Sequence, residues 1–322
     1  MSNSLNRRSL LKSLTKMAAS PLLLGSFGCA VDRLLRPELD ETAISPFTLV
    51  GAGDQHCTVS LGARGRTASQ VQKVLDAVPS ALAFAIGDLT HSGHEIEYQT
   101  YYNNTWGRFK DRTIFGIGNH DTMYALPRGA AYYAYTAAPK YYAKTLGDSW
   151  RVYMLTCMNA TEGGVSFTEQ LAWLKADLAE HAATHHILAM VHYPMFASVC
   201  EHHLKDMTSK PRVGPMWDAL QGAGCEFAVS GHAHRWERLK PMLRDGTVSK
   251  DGIRQFVVGT GGVKLRGIIQ QHPNSEQILL EYGVVRYDLY PDRYEWKFIN
   301  QFGVVRDSGV QACRKVLAPV GV

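Results

Sequence analysis

Paired cysteines are missing from this chain. Of its six cysteines, Cys29 lies in an N-terminal leader-like stretch; Cys57, Cys157, Cys200, Cys225 and Cys313 remain, an odd number with no CxxC spacing. Neither a zinc ribbon nor a disulfide framework is indicated. Excess charge of one sign is also missing from the body of the protein. Arg7, Arg8, Lys12 and Lys16 are the only charged residues in 1–29, and taking them from the formal net charge of +5 leaves +1 for residues 30–322. Composition therefore gives no case for a nucleic-acid partner. There is no G-x-S-x-G nucleophile signature, no internal repeat, no low-complexity tract and no linker within 46–312. With 45 % hydrophobic and 20 % charged residues the chain is not a disordered one, and 46–312 reads as one domain.

What the N-terminus does contain is "NRRSLLKSL" followed by "MAASPLLLGSFGCA". The apolar run is too short to span a bilayer and has the order of a signal peptide. Paired arginines ahead of it resemble a twin-arginine export signal, read by export machinery that carries folded protein. Residues 1–29 are thus expected to direct export to the periplasm or the extracellular space, with 30–45 as a spacer and 313–322 as a C-terminal tail. Cys29 is a candidate lipid anchor that fits the lipoprotein pattern poorly.

From Phe47 on, short apolar runs alternate with amphipathic ones. "FTLVGAGD", "ALAFAIGD", "TIFGIGNHD", "WRVYMLTC", "HILAMVHYP", "CEFAVSGHAH" and "IRQFVVGTGG" read as strands. "TASQVQKVLDAV", "SFTEQLAWLKADLAEH" and "GPMWDALQGAG" read as helices, the second with Ser166 and Glu169 in capping-box spacing. "YGVVRYDLYPDRYEWKFI" alternates through Pro291-Asp292 as a hairpin. Strands alternating with helices predict an α/β fold, and the β-rich end predicts a second sheet packed on the first.

Five of the strand candidates end alike. Asp54 and His56 close one, Asp88 the next, then Asn119, His120 and Asp121, then His192, and last His232 and His234 behind Gly231. In open α/β sheets this is the edge where ligands bind, and Asp, Asn and His are poor strand formers. Singly, each has a plain explanation: an aspartate caps helices, and among thirteen histidines a chance HxH is unremarkable. Capping alone does not account for five such ends together. Converging imidazole, carboxylate and amide oxygen point to transition-metal ions.

This ordered series resembles the calcineurin-like metallophosphoesterases over about residues 46–312. Its tail "HRWER", with "TWGRFKDR", "FVVGTGG" and "YEWKFINQFGVVRDSG", is similar to bacterial secreted members of the purple acid phosphatase branch. The resemblance implies a four-layer α-β-β-α sandwich with two mixed sheets. It also implies a binuclear site of Fe, Mn or Zn, divalent or mixed-valence, that hydrolyses phosphate esters with metal-bound hydroxide. Asp54, His56 and His234 would hold the first ion, Asn119, His192 and His232 the second, and Asp88 would bridge them. His120 would act on the leaving oxygen, oriented by Asp121. The expected activity is that of a phosphomonoesterase on a small phosphate ester; the alternatives are a phosphodiesterase of cyclic nucleotide or phospholipid type and a non-catalytic scaffold of the same fold. The chain departs from the branch at "GDLTH", where His91 stands in place of an iron-binding tyrosine. The presence of His56 compensates, so a colourless site is expected, with His91 beside a ligand or near the substrate. His202 and His203 in "EHHLKD" are further substrate candidates, and Arg235, Arg238 and Tyr124 weaker ones.

Overall fold

The computed structural model describes residues 45–58, 62–200, 210–315 and 317. The leader-like segment with Cys29, the spacer up to residue 44, and the pair His202 and His203 lie outside the described residues.

The apolar runs fold as strands because side chains on both faces can be buried. The first are β1 (Phe47–Ala52), β2 (Leu82–Ile86), β3 (Thr113–Gly116), β4 (Tyr142–Leu146) and β5 (Trp150–Leu155). Next come β6 (His186–Val191), β7 (Val199–Cys200), β8 (Cys225–Ser230), β9 (Trp236–Leu239) and β10 (Arg254–Val258). The chain continues through β11 (Ile268–Gln270), β12 (Ser275–Leu279), β13 (Gly283–Leu289), β14 (Arg293–Asn300) and β15 (Val305–Ala312). The α-helices are α1 (Gly62–Ala77), α2 (His120–Met123), α3 (Ala130–Thr136), α4 (Phe167–His181) and α5 (Lys210–Gly222).

One sheet has the order β15-β14-β13-β1-β2-β3 and a second the order β12-β9-β10-β8-β6-β5-β4. Both are mixed. β1, β2 and β3 run parallel while β13 pairs antiparallel with β1. β5, β6, β8 and β10 run parallel, flanked by antiparallel β4 and β9. An aromatic layer joins the two sheets: Phe227 of β8 stacks on Tyr294 of β14 with ring centres 4.4 Å apart, and Trp236 of β9 stacks on Phe298 of β14 at 4.8 Å. Such offset pairs add to the large apolar area each ring buries. α1 covers the first sheet with Val71, Val74 and Leu75. α4 and α5 pack together, with α5 against β8, on the second sheet. The four-layer sandwich is therefore present.

Local expectations hold where periodicity is strong. Ser166 caps α4, its hydroxyl accepting the Glu169 N–H at 3.4 Å. Helix α5 already includes residues 210–213, ahead of the expected Gly214, with Pro215 inside it. β4, β12 and β15 escaped the sequence reading because they are edge strands with few fully buried residues, which blurs alternation. Beyond β15 the chain is not a loose tail at its start: Cys313 N–H donates to the Asp292 carbonyl at 2.8 Å and Arg314 N–H to Glu226.

Candidate metal centre

The parallel strands β1, β2, β3, β6 and β8 deliver their C-terminal ends to one place. Asp54 lies two residues past β1, Asp88 two past β2, Asn119 three past β3, His192 one past β6 and His232 two past β8. Close approach is made possible by glycine: a Cβ on Gly118 would press into Asp88 Oδ1, and one on Gly231 into Asp54 Oδ2. The backbone at the ligand positions is strained as well. Among the described residues, six non-glycine residues have positive φ, and five of them are Asp54, His56, Asp88, His232 and His234. Each such conformation costs about 1 kcal/mol or more and persists where the surrounding structure enforces it, often at functional sites. The two rings of GHAH reach different neighbours because both residues leave strand geometry after β8.

Two donor groups result. Asp54, His56 and His234 place ligand atoms within 4.8 Å of one another, and Asp88, His192 and His232 do the same. Asp88 Oδ2 lies 3.2 Å from His56 Nε2 and 3.3 Å from His192 Nε2, so it touches both groups. Asn119 joins the second, its Oδ1 3.2 Å from His192 Nε2. Backbone contacts aim these side chains. His192 Nδ1–H donates to the Ile86 carbonyl at 2.8 Å, turning Nε2 inward. His234 Nδ1 lies 3.1 Å from the Lys264 carbonyl, with Arg266 Nε 3.2 Å from the same nitrogen. Asp54 Oδ2 accepts the His232 N–H at 2.7 Å, while its buried Oδ1 has no hydrogen-bond partner and faces His234 Nε2 at 3.4 Å. A buried carboxylate oxygen left without a donor is costly. Its position among inward-facing imidazole nitrogens fits a cation, as does the backbone anchoring of their other nitrogens.

The electrostatics agree. Burial opposes ionisation of Asp88, but the His192 charge and the hydrogen bonds from His192 and His56 outweigh it and hold the carboxyl well below its usual range. Burial pushes His192 down, yet the Asp88 carboxylate raises it to about 9. His56 is lowered, chiefly by burial. A site that holds positive charge beside Asp88 this strongly is suited to a metal ion, which would displace the imidazole proton.

His120 is half-buried beside this cluster, its ring centre 4.2 Å from that of His56. Its N–H donates to Asp88 Oδ1 at 2.8 Å and its Nδ1–H to the His91 carbonyl at 2.7 Å. His91 is exposed, and its Nδ1 lies 3.3 Å from His56 Nδ1. It sits behind a candidate ligand at the rim.

Asp121 requires a correction. It was expected to orient the His120 ring, but its carboxylate is spent elsewhere. It accepts the N–H groups of Asp88 (2.8 Å), Leu89 (3.0 Å), Thr90 (3.3 Å) and Gly118 (3.0 Å) and the Tyr98 hydroxyl (2.9 Å). Burial, with the charge of Asp88, pushes this carboxyl up to about 7. Asp121 thus pins the turns that present Asp88 and Asn119, while the His91 carbonyl holds His120. Arg235 and Arg238 are engaged in ion pairs rather than free for a phosphate, Arg235 in the interior instead of at the surface. Arg235 is fully buried and pairs with Glu237 at 2.9 Å and with the Ser198 carbonyl. Arg238 pairs with Asp307 at 2.9 Å and with Glu276. Tyr124 is exposed. Sequence reasoning missed Tyr98, Arg266 and Tyr193, whose ring packs edge-on against His232 at 4.2 Å. Only Tyr193 carried a signal, its adjacency to His192.

Residues 47–236 match the family model described as calcineurin-like phosphoesterase. Purple acid phosphatase 1 of Ipomoea batatas is 24 % identical over 172 residues, which cover 48 % of this chain and 36 % of that protein. The chain is thus aligned to little more than a third of that relative's length. Among solved structures, purple acid phosphatase PPD1 from Lupinus luteus seeds superposes with a TM-score of 0.69 at 17 % identity, over 83 % of this chain and 53 % of that one. GAP50, described as the anchor in the inner membrane complex of Plasmodium, superposes with a TM-score of 0.68 at 12 % identity, over 86 % and 92 %. At these identities the superpositions speak for the fold alone.

Proposed function

The chain belongs to the calcineurin-like phosphoesterase family, and from that premise we propose that it is a binuclear metal-dependent phosphomonoesterase acting on small phosphate esters. The observation that carries the reading is Asp88, whose Oδ2 lies 3.2 Å from a histidine of one donor group and 3.3 Å from a histidine of the other. Asp54, His56 and His234 would hold one ion, Asn119, His192 and His232 the second, with Asp88 shared. Two bound divalent ions would polarise the phosphoryl oxygens and make water ionisable near neutral pH.

The chain's own part is positioning and proton transfer. With Nδ1–H committed to the His91 carbonyl, His120 has Nε2 left to hold a proton for the leaving oxygen. His120→Ala is expected to keep both ions, by elemental analysis, and to lose roughly 10²-fold in kcat. Full metal content with an unchanged rate would remove this role. Similarity to a purple acid phosphatase supports the monoester over the diester. Faster turnover of p-nitrophenyl phosphate than of bis-p-nitrophenyl phosphate, after loading with Mn, Zn or Fe, is the test; the reverse order would make the protein a diesterase. No turnover of either ester would favour a scaffold role, of the kind the description of GAP50 suggests for that protein.

Iron-loaded protein is expected to be colourless, because His91 occupies the place from which a phenolate would reach the metal. A tyrosinate-to-iron band in the visible spectrum would contradict this and would put Tyr193, packed on His232, on the ion.

A further inference from the structure

A separate cluster sits at the opposite ends of the strands. His186 is the first residue of β6, Glu226 the second of β8, and Cys313 follows β15. Their Nδ1 or Nε2, carboxylate oxygen and Sγ atoms lie within 4.8 Å of one another. His186 and Glu226 are buried.

The hydrogen bonds leave one atom without a partner. His186 Nε2–H donates to the Pro291 carbonyl at 2.7 Å, which commits Nε2 as a donor and leaves Nδ1 as the ring atom turned inward. Trp150 holds the ring, their centres 5.0 Å apart. Nδ1 is fully buried, has no hydrogen-bond partner, and faces Glu226 Oε1 at 3.4 Å. An imidazole nitrogen turned towards a carboxylate oxygen needs a positive charge between them, supplied by a proton or by a metal ion. Arg314 occupies the outer side of the carboxylate, its N–H 3.1 Å from both oxygens and its Nε 3.3 Å from Oε2. The inner side of Oε1 stays turned towards His186. Burial, helped by Glu226 and Asp292, pushes the Cys313 thiol up, so an ion bound there displaces a firmly held proton and binds more tightly as the pH rises.

We propose that His186, Glu226 and Cys313 bind one Zn²⁺, separate from the ions of the strand-end centre, as a clip between the two sheets. Imidazole, carboxylate and thiolate together suit zinc. The ion would tie the end of β15 and the β13–β14 turn, which supplies the Pro291 carbonyl, to the starts of β6 and β8. Neither donor group of the strand-end centre contains sulfur, and this sets the clip apart spectroscopically.

The test uses the full-length chain, stripped of metal and reloaded with Co²⁺. The expected result is a near-ultraviolet thiolate-to-cobalt charge-transfer band that Cys313→Ser abolishes. On reloading with Zn²⁺, the same variant should hold one ion per chain fewer than the parent. Cys313 is only partly buried, so serine there is tolerated structurally. A second readout needs no variant: Zn²⁺ should slow alkylation of Cys313 at least 10-fold, followed on its own peptide by mass spectrometry. Absence of the band, equal zinc content in parent and variant, or unprotected Cys313 would each overturn the proposal and leave His186 and Glu226 as a protonated imidazole–carboxylate pair.

Discussion

Asp88→Ala is expected to lower kcat on a phosphate monoester by on the order of 10³-fold and to reduce the metal bound at the strand-end centre. The reason is the position of one oxygen. Asp88 Oδ2 serves His56 on one side and His192 on the other, while Oδ1 takes the His120 N–H. Removing it takes an anionic donor from both groups and leaves His192 Nε2, beside Asn119 Oδ1, without the carboxylate that favours its charge. Elemental analysis beside steady-state kinetics checks the result. Two ions per chain with a small loss of rate would show that Asp88 is not shared, and the binuclear reading would go with it.

The second large effect is on stability. Asp121→Ala removes the acceptor for four backbone N–H groups and the Tyr98 hydroxyl, all buried. Each orphaned donor costs about 1–3 kcal/mol, and water entering the space recovers part of that. A net loss of about 3–5 kcal/mol is expected, and a fall in Tm of roughly 10 °C, measured on metal-free protein so that ion binding does not mask it. The turns carrying Asp88 and Asn119 should loosen with it, so metal affinity falls although Asp121 belongs to neither donor group. An unchanged Tm with a lost rate would restore the role first expected of Asp121, direct action on His120. The pair His120→Ala and Asp121→Ala therefore separates chemistry from architecture: the first spares metal and Tm, the second spares neither.

The residues of the candidate centre were legible in the sequence for a definite reason. Asp, Asn and His are unfavourable in strands, so their recurrence just past Val50–Ala52, Ile86, Ile117, Val191 and Ser230 stands out against the apolar runs. Parallel strands carry such ends to one edge of each sheet, those of β1, β2 and β3 in the first and of β6 and β8 in the second. The two core sheets were legible through the same apolar runs, and the hairpin through its turn residues.

Partnerships were not legible. Sequence adjacency put Asp121 beside His120, but α2 begins at His120, and its first turn carries the two side chains in different directions, Asp121 towards Tyr98 and the Asp88 turn. Likewise, nothing in "HRWER" says that Arg235 folds inward onto Glu237 and Ser198. The cluster of His186, Glu226 and Cys313 draws on residues up to 127 positions apart. By itself the sequence determined which side chains stand at the strand ends, because local backbone preference places them there. Only the tertiary structure decided which of them meet, because that depends on how two twisted sheets pack and on where the buried donors find their acceptors.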